Sequence, residues 1–184
     1  MTAPFKTTVK LNDKFNEFPE ALRTKLEAAH EADIAAHMQQ IESRPVIKAS
    51  NRYAVISAQG TRPSAANFTS TTTIHDNIGT SSSANIALLE HFLANHTSKI
   101  KKSPERRDYR GQQVVPASTN FVYLETVDGV ANPDFVLLHA VKYGEIGCGV
   151  DACGCLSFCT VEIVDGRCRF DALFVERVGI KIEE

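Results

Sequence analysis

One candidate catalytic base lies in the segment FVLLHAVKY, residues 135–143. If this segment is a strand, alternation places His139 on one face together with Phe135 and Tyr143. A histidine among apolar side chains can have a lowered pKa and accept a proton near neutral pH. His139 is therefore a candidate base, with Phe135 and Tyr143 as candidate substrate-binding residues. The alternative is a histidine buried in the core or in a dimer interface.

A second candidate pair, His75 and Asp76, ends the segment FTSTTTIHD. A histidine beside a carboxylate could move a proton during an enolisation, a dehydration or a cyclisation. The alternative is structural, because Asp76 and Asn77 are residue types that form turns.

A further carboxylate, Glu162, alternates with Phe158 and Thr160 along a strand-like segment. If Glu162 faces a closed cavity, its pKa is raised and it could act as a general acid or base. If it faces solvent, it is an ordinary surface residue. Tyrosines add candidate substrate-binding groups whose hydroxyls could donate to a developing oxyanion, with ordinary packing as the alternative. These are Tyr53, Tyr123 and Tyr143.

Five cysteines are clustered near the end of the chain, at positions 148, 153, 155, 159 and 168. Their spacing does not match the paired short knuckles of a zinc site. His91 and His96 are five residues apart, which also matches metal-binding helix spacing poorly. We therefore expect free thiols, no metal and no cofactor. One disulfide among residues 148–155, or metal or redox chemistry, is the alternative.

The composition describes one soluble domain. The chain has 184 residues, 43% of them hydrophobic, and a formal net charge of −2. No basic excess exists to bind nucleic acid, and no run approaches the length of a membrane helix. The first residues lack a hydrophobic signal core, so we expect a cytoplasmic protein. We interpret residues 1–18 as an N-terminal arm and residues 19–184 as a single domain.

Periodicity predicts the elements that must position these residues. Helices are expected over 19–43, with a possible break near Asp33, and over 84–96, with the serines at 81–83 as a cap. The polar stretch 99–113 is interpreted as an exposed loop, or alternatively as a partner-binding flap. Strands are expected over 51–59, 68–76, 120–129, 133–144, 154–166 and 167–180, with turns at 127–129 and 164–166.

This order of elements predicts an α+β fold, because the strands do not alternate regularly with helices. We expect a curved, mainly antiparallel sheet wrapped around the helices, forming a cone-shaped α+β barrel. Such a cone could hold a small molecule.

Two segments resemble the nuclear transport factor two-like superfamily, which includes SnoaL-like polyketide cyclases, ketosteroid isomerase and scytalone dehydratase. They are TTTIHDNIGTSSSANIALLEHFL and FCTVEIVDGRCRFDALFVERV. The resemblance implies a cofactor-independent isomerase, cyclase or dehydratase acting by acid–base chemistry. The implied substrate is a hydrophobic small molecule, such as a polyketide- or terpenoid-like intermediate, and the implied assembly is a homodimer. The alternative is a non-catalytic ligand- or protein-binding module of the same fold. The long 99–119 segment and the cysteines depart from the family pattern.

Overall fold

The structure is a computed structural model that describes residues 8–43, 48–61, 68–125 and 140–183, without the side chains of 43, 48–50 and 180–183. Its helices are α1 (Glu20–Ser43) and α2 (Ser81–Asn95), with short 3-10 turns at Asp13–Phe15 and Thr97–Lys99. Its strands are β1 (Lys48–Gly60), β2 (Phe68–Ile78), β3 (Lys102–Ser103), β4 (Arg106–Arg107), β5 (Gln113–Val115), β6 (Ser118–Thr119), β7 (Phe121–Tyr123), β8 (Ile146–Val150), β9 (Leu156–Val164) and β10 (Arg167–Glu183). The α+β class is confirmed.

Helix α1 is continuous, so the predicted break near Asp33 is absent. The Asp33 carboxylate instead accepts hydrogen bonds from Ser81 Oγ (3.2 Å) and Ser82 N (3.0 Å) at the first turn of α2. A carboxylate at this position is favoured by the helix dipole. Thr80, rather than a serine, is the N-cap of α2, and its hydroxyl accepts from Ser83 N. Across the described residues, we find no helix with the length and apolar content that membrane crossing requires.

The main sheet has six strands in the order β2-β1-β10-β9-β8-β7. All neighbouring pairs are antiparallel except β7 and β8, which are parallel. The sheet therefore matches the predicted mainly antiparallel arrangement. Its end strands in the described residues, β2 and β7, are not paired with each other.

The tight turn between β9 and β10 confirms the turn predicted at 164–166. Asp165 and Gly166 both have positive φ, at 50° and 73°. Two consecutive residues of positive φ match the right-handed twist of a two-residue hairpin, which explains the Asp-Gly sequence. The other predicted turn, at 127–129, lies outside the described residues.

Two predicted segments differ from the structure. Of the strand predicted at 133–144, residues 133–139 lie outside the described residues, Ala140 is helical, and 143–144 form a turn. The predicted loop at 99–113 contains strands instead, since β3 pairs with β6 and β4 with β5. These short strands are largely exposed on both faces, so the sequence shows no alternation of apolar and polar residues.

The core lies mainly between the helices and one face of the sheet. An aromatic cluster forms its centre, in which the Phe92 and Phe158 rings are 4.5 Å apart. Phe18 packs on Phe92, Phe121 and Phe158 at 5.5–5.7 Å. A smaller cluster, including Phe170, lies elsewhere in the fold. Burial of each aromatic side chain contributes about 1.5–3 kcal/mol, so the aromatic cluster fixes how α2 lies on the sheet.

Candidate functional site

A cavity of about 170 Å³ lies between the end of α2 and strands β1, β9 and β10; we call it the reaction cavity. Its polar lining includes His96, Lys99, Arg169 and Asp171. The aromatic cluster closes one side through Phe158, among others. The cavity thus joins an apolar wall to a group of ionisable side chains.

Strand register brings the polar wall together. Asp171 on β10 lies opposite Thr160 on β9, and Arg169 lies opposite Glu162. Since alternate residues of a strand share a face, these four side chains point to the same side of the sheet. Leu173 continues this face of β10 into the apolar core. The same face is therefore polar at the cavity and apolar beneath the helices.

Lys99 reaches the sheet from the 3-10 turn that follows α2. Its Nζ is 3.1 Å from Glu162 Oε1 and 3.6 Å from Asp171 Oδ2. Arg169 Nη2 is 2.7 Å from Glu162 Oε2 and 3.4 Å from Asp171 Oδ2. We call these four residues the ionic quartet. It contains two cations and two carboxylates, so its formal charges balance.

The quartet lowers the pKa of Glu162. The hydrogen bond from Lys99 is the largest cause. Burial, the next largest, raises the pKa, and the charges of Lys99 and Arg169 lower it further. The direction is opposite to that expected for a carboxylate in a closed cavity. Glu162 is therefore ionised at neutral pH and acts as an anion that holds the two cations.

Two atoms of the quartet have no hydrogen-bond partner among the described residues. They are Arg169 Nε and Asp171 Oδ1, and both are buried. A buried donor or acceptor left unpaired costs about 1–3 kcal/mol. One donor and one acceptor thus remain unpaired on side chains that already contact each other beside the cavity. Such atoms need an explanation, and a bound molecule or water is the usual one.

His96 is the histidine of this cavity. It caps the C-terminus of α2, where its backbone N–H donates to Phe92 O at 2.8 Å. The centroid of its ring is 5.5 Å from the centroid of the Phe92 ring. Burial lowers the pKa of His96, and Lys99 and His91 lower it further, while Asp171 and Glu162 oppose them. His96 is thus neutral at pH 7 and can accept a proton.

A second cavity, of about 270 Å³, adjoins the reaction cavity and shares Lys99 and Thr160 with it. Its lining also includes Lys101, Glu145 and Ile163. The shared residues make Lys99 the boundary between the two spaces.

The predicted site residues do not form one group. Glu162 and Tyr143 line the second cavity. The Tyr143 hydroxyl is 3.0 Å from Cys168 Sγ, and this hydrogen bond raises the pKa of Tyr143. His139 and Phe135 lie outside the described residues.

The other predicted residues line neither cavity. His75 and Asp76 are exposed on β2, and Asp76 Oδ1 accepts from Asn77 N at 2.6 Å. Asn77 has a φ of 57° where the pairing of β1 with β2 shifts, and both Asp76 and Asn77 lie within strand β2 and not in a turn. Tyr53 is buried in the core. Tyr123 is partly buried and packs against the core cluster. Burial raises the pKa of both tyrosines.

Sequence reasoning did not assign His96, Lys99, Arg169 or Asp171 to a common site. A signal for two of them exists, because Arg169 and Asp171 alternate on the same face of β10 as the buried residues Leu173 and Val175. His96 and Lys99 carry no such signal, because they follow a helix whose placement on the sheet is not written in local sequence.

No group of three or more histidine, cysteine, aspartate or glutamate side chains in the described part of the chain could hold a metal ion. The five cysteines are free thiols. Cys148 lies in strand β8 and is buried, although no strand was predicted between residues 144 and 154. Burial raises the pKa of both Cys148 and Cys155 to about 12.

Comparisons with protein-family models, curated proteins and solved structures give no match for this chain.

Proposed function

We propose that the chain is a cofactor-independent acid–base enzyme, an isomerase, cyclase or dehydratase, that acts on a hydrophobic small molecule in the reaction cavity. The observation that carries this proposal is the shared lining of one cavity by His96, Lys99 and Arg169. A neutral imidazole next to two cations combines a proton acceptor with groups that stabilise negative charge. The proposal includes the cone shape and the homodimer that the family resemblance implies.

In the proposed reaction, an imidazole nitrogen of His96 takes a proton from a carbon next to a substrate carbonyl. The electron pair of the broken C–H bond moves into the new C=C bond, and the carbonyl π electrons move to oxygen. Lys99 and Arg169 stabilise the resulting enolate oxygen. In a β,γ-unsaturated ketone this enolate is conjugated with the neighbouring C=C bond. As the C=O bond re-forms, the electron pair shifts along the conjugated system and the γ-carbon takes the proton from the imidazolium, which completes an isomerisation to the α,β-enone and regenerates the neutral base.

The size of the reaction cavity limits the reacting part of the substrate. Its 170 Å³ is smaller than the roughly 300–1,000 Å³ typical of sites for drug-sized ligands. Phe92 and Phe158 supply an apolar wall that excludes water from the reacting carbon. The proposed substrate therefore places a small ketone or enone group beside His96.

Proton exchange tests this proposal without knowledge of the natural substrate. Simple ketones and cyclic enones are incubated with the protein in deuterated water, and NMR follows the loss of their α-proton signals. We expect faster loss than in buffer alone, and a return to the buffer rate in His96→Gln. His37→Gln is the matched control, because His37 is exposed on α1 and does not line the reaction cavity.

Two outcomes would count against the enzyme. If a ketone binds the wild-type protein but its α-protons exchange at the buffer rate, the non-catalytic binding module becomes the better interpretation. If His96→Gln retains the full exchange rate, His96 is not the base.

A further inference from the structure

Lys101 lines the second cavity, and its ammonium group lies beside Gly144. The Cβ that a side chain at Gly144 would add lies only 3.3 Å from Lys101 Nζ. Gly144 also has a φ of +77°, which favours glycine for a separate reason. Gly144 thus lies directly beside the ammonium group at the cavity wall.

Asn120 fixes the geometry of this wall. Its Oδ1 accepts from Lys101 N at 2.7 Å, and its Nδ2 donates to Lys99 O at 3.0 Å and to Gly144 O at 2.7 Å. One side chain therefore holds both lysine-bearing positions against the turn at 143–144. The two lysines lie two residues apart, with the extended residue Ile100 between them packed toward the core.

The charges of this wall leave Lys101 available. Lys99 is engaged by Glu162 and Asp171, whereas no carboxylate of the described residues lies within ion-pair distance of Lys101. Glu145 also lines the cavity, but its Oε2 accepts from Lys142 N at 3.0 Å. Glu145 and Glu162 repel any anionic group, and they repel a single negative charge less than a double one.

We infer that the substrate is an apolar monocarboxylic acid whose carboxylate binds Lys101 in the second cavity. Its chain passes Lys99 and Thr160, which both cavities share, and its carbonyl group lies beside His96. Ile146 and Ile163 provide the apolar part of the second cavity. This inference rests on the proposed function for the position of the carbonyl, but the carboxylate site can be tested separately by binding.

The probes are linear methyl-keto acids of increasing chain length, beginning with levulinate, and their uncharged carboxamides. NMR titration measures the affinity of each pair for the wild-type protein, for Lys101→Met and for Lys102→Met. The last variant is the matched control, because it removes the same charge from a neighbouring lysine that pairs with Glu17. Thermal unfolding confirms that the variants are folded, and the comparison of acid with amide on the wild-type protein needs no variant.

For the chain length that fits the site, we expect the acid to bind about fivefold more tightly than its carboxamide. A partly exposed ion pair can supply a difference of this size. The preference should persist in Lys102→Met and disappear in Lys101→Met. Equal affinities for the two probes at every chain length, a preference that survives Lys101→Met, or no binding of either probe would overturn the inference.

The same samples separate this inference from the proposed function. A preference that depends on Lys101, without exchange of the α-protons, would leave the carboxylate site intact and reject the enzyme. Exchange that depends on His96, without any preference for the acid, would support the enzyme and reject the carboxylate site.

Discussion

Arg169 and Glu162 face each other across the β9–β10 pair, and Arg169 Nη2 donates to Glu162 Oε2 at 2.7 Å. The other carboxylate oxygen of Glu162 is held by Lys99, which belongs to the segment after α2. One carboxylate thus links a hairpin of the sheet to the end of a helix. The wall of the reaction cavity depends on this link.

Glu162→Gln should lower stability in a pH-dependent way. Because the pKa of Glu162 is lowered on folding, its contribution is present above the ordinary value of 4.5 and is lost as the pH falls through the lower folded value. The side chain is 38% exposed, so solvent screening limits the loss at neutral pH to less than about 1 kcal/mol. Urea unfolding at neutral and acidic pH measures the difference between variant and wild type.

Glu105→Gln is the control for this experiment, because Glu105 pairs with Arg107 outside the cavity. It should change stability less than Glu162→Gln. A difference between Glu162→Gln and wild type that does not shrink at acidic pH would contradict the role of the ionised Glu162.

The proton-exchange rate should depend on neutral His96. Since burial, Lys99 and His91 lower the pKa of His96 below 6.5, the midpoint of the loss of activity on acidification should lie below pH 6.5. His96→Gln should reduce the rate by about a hundredfold or more. Rate profiles against pH in deuterated water measure both effects. A wild-type profile whose midpoint lies above pH 6.5 would assign the base to another group.

Phe158→Ala should be strongly destabilising. Phe158 is 2% exposed and packs on Phe92 and Phe18, so truncation leaves a cavity at the centre of the aromatic cluster. We expect a loss of about 3–5 kcal/mol in the free energy of unfolding. Chemical denaturation measures it, with Tyr109→Ala as a control, since Tyr109 is 89% exposed and its loss should cost less than about 0.5 kcal/mol.

Asn85→Ala should also destabilise the fold, through hydrogen bonds. The buried Asn85 donates from Nδ2 to Gly154 O at 2.7 Å and accepts at Oδ1 from Leu156 N at 2.9 Å. Alanine leaves both backbone groups unpaired, which costs about 2–4 kcal/mol. Denaturation of Asn85→Ala beside Asn95→Ala, an exposed asparagine on the same helix, separates this cost from helix propensity. Equal losses in the two variants would rule out the buried bonds as the cause.

The cysteines should differ in reactivity toward iodoacetamide. Burial raises the pKa of Cys148 and Cys155 to about 12, so almost none of either is thiolate at mildly alkaline pH. Cys153 is exposed and should be alkylated first. Mass spectrometry of the folded protein over time measures the order, with urea-unfolded protein as the control. Early alkylation of Cys148 would show that the β8 region opens readily.

Local patterns in the sequence were enough to predict α1, α2, β1, β2 and the β9–β10 hairpin. Each of these elements has a period, a cap or a turn residue within its own segment, as the Asp-Gly pair at 165–166 illustrates. The exposed strands between 102 and 119 lacked such a pattern, because neither of their faces is buried. Strand β8 was missed for a different reason, since Ile146–Val150 is short and contains two glycines.

The site was decided by tertiary structure. Glu162 could be chosen from its own strand, but its partners arrive from a helix end and from a neighbouring strand. Strand β1 pairs with β10 more than a hundred residues later in the chain, and this register places Gln59 opposite Asp171 at the cavity. The sequence determined the two helices and the long strands, since those preferences are local. Which charged groups meet around His96 depends on long-range packing and register, which no local period encodes.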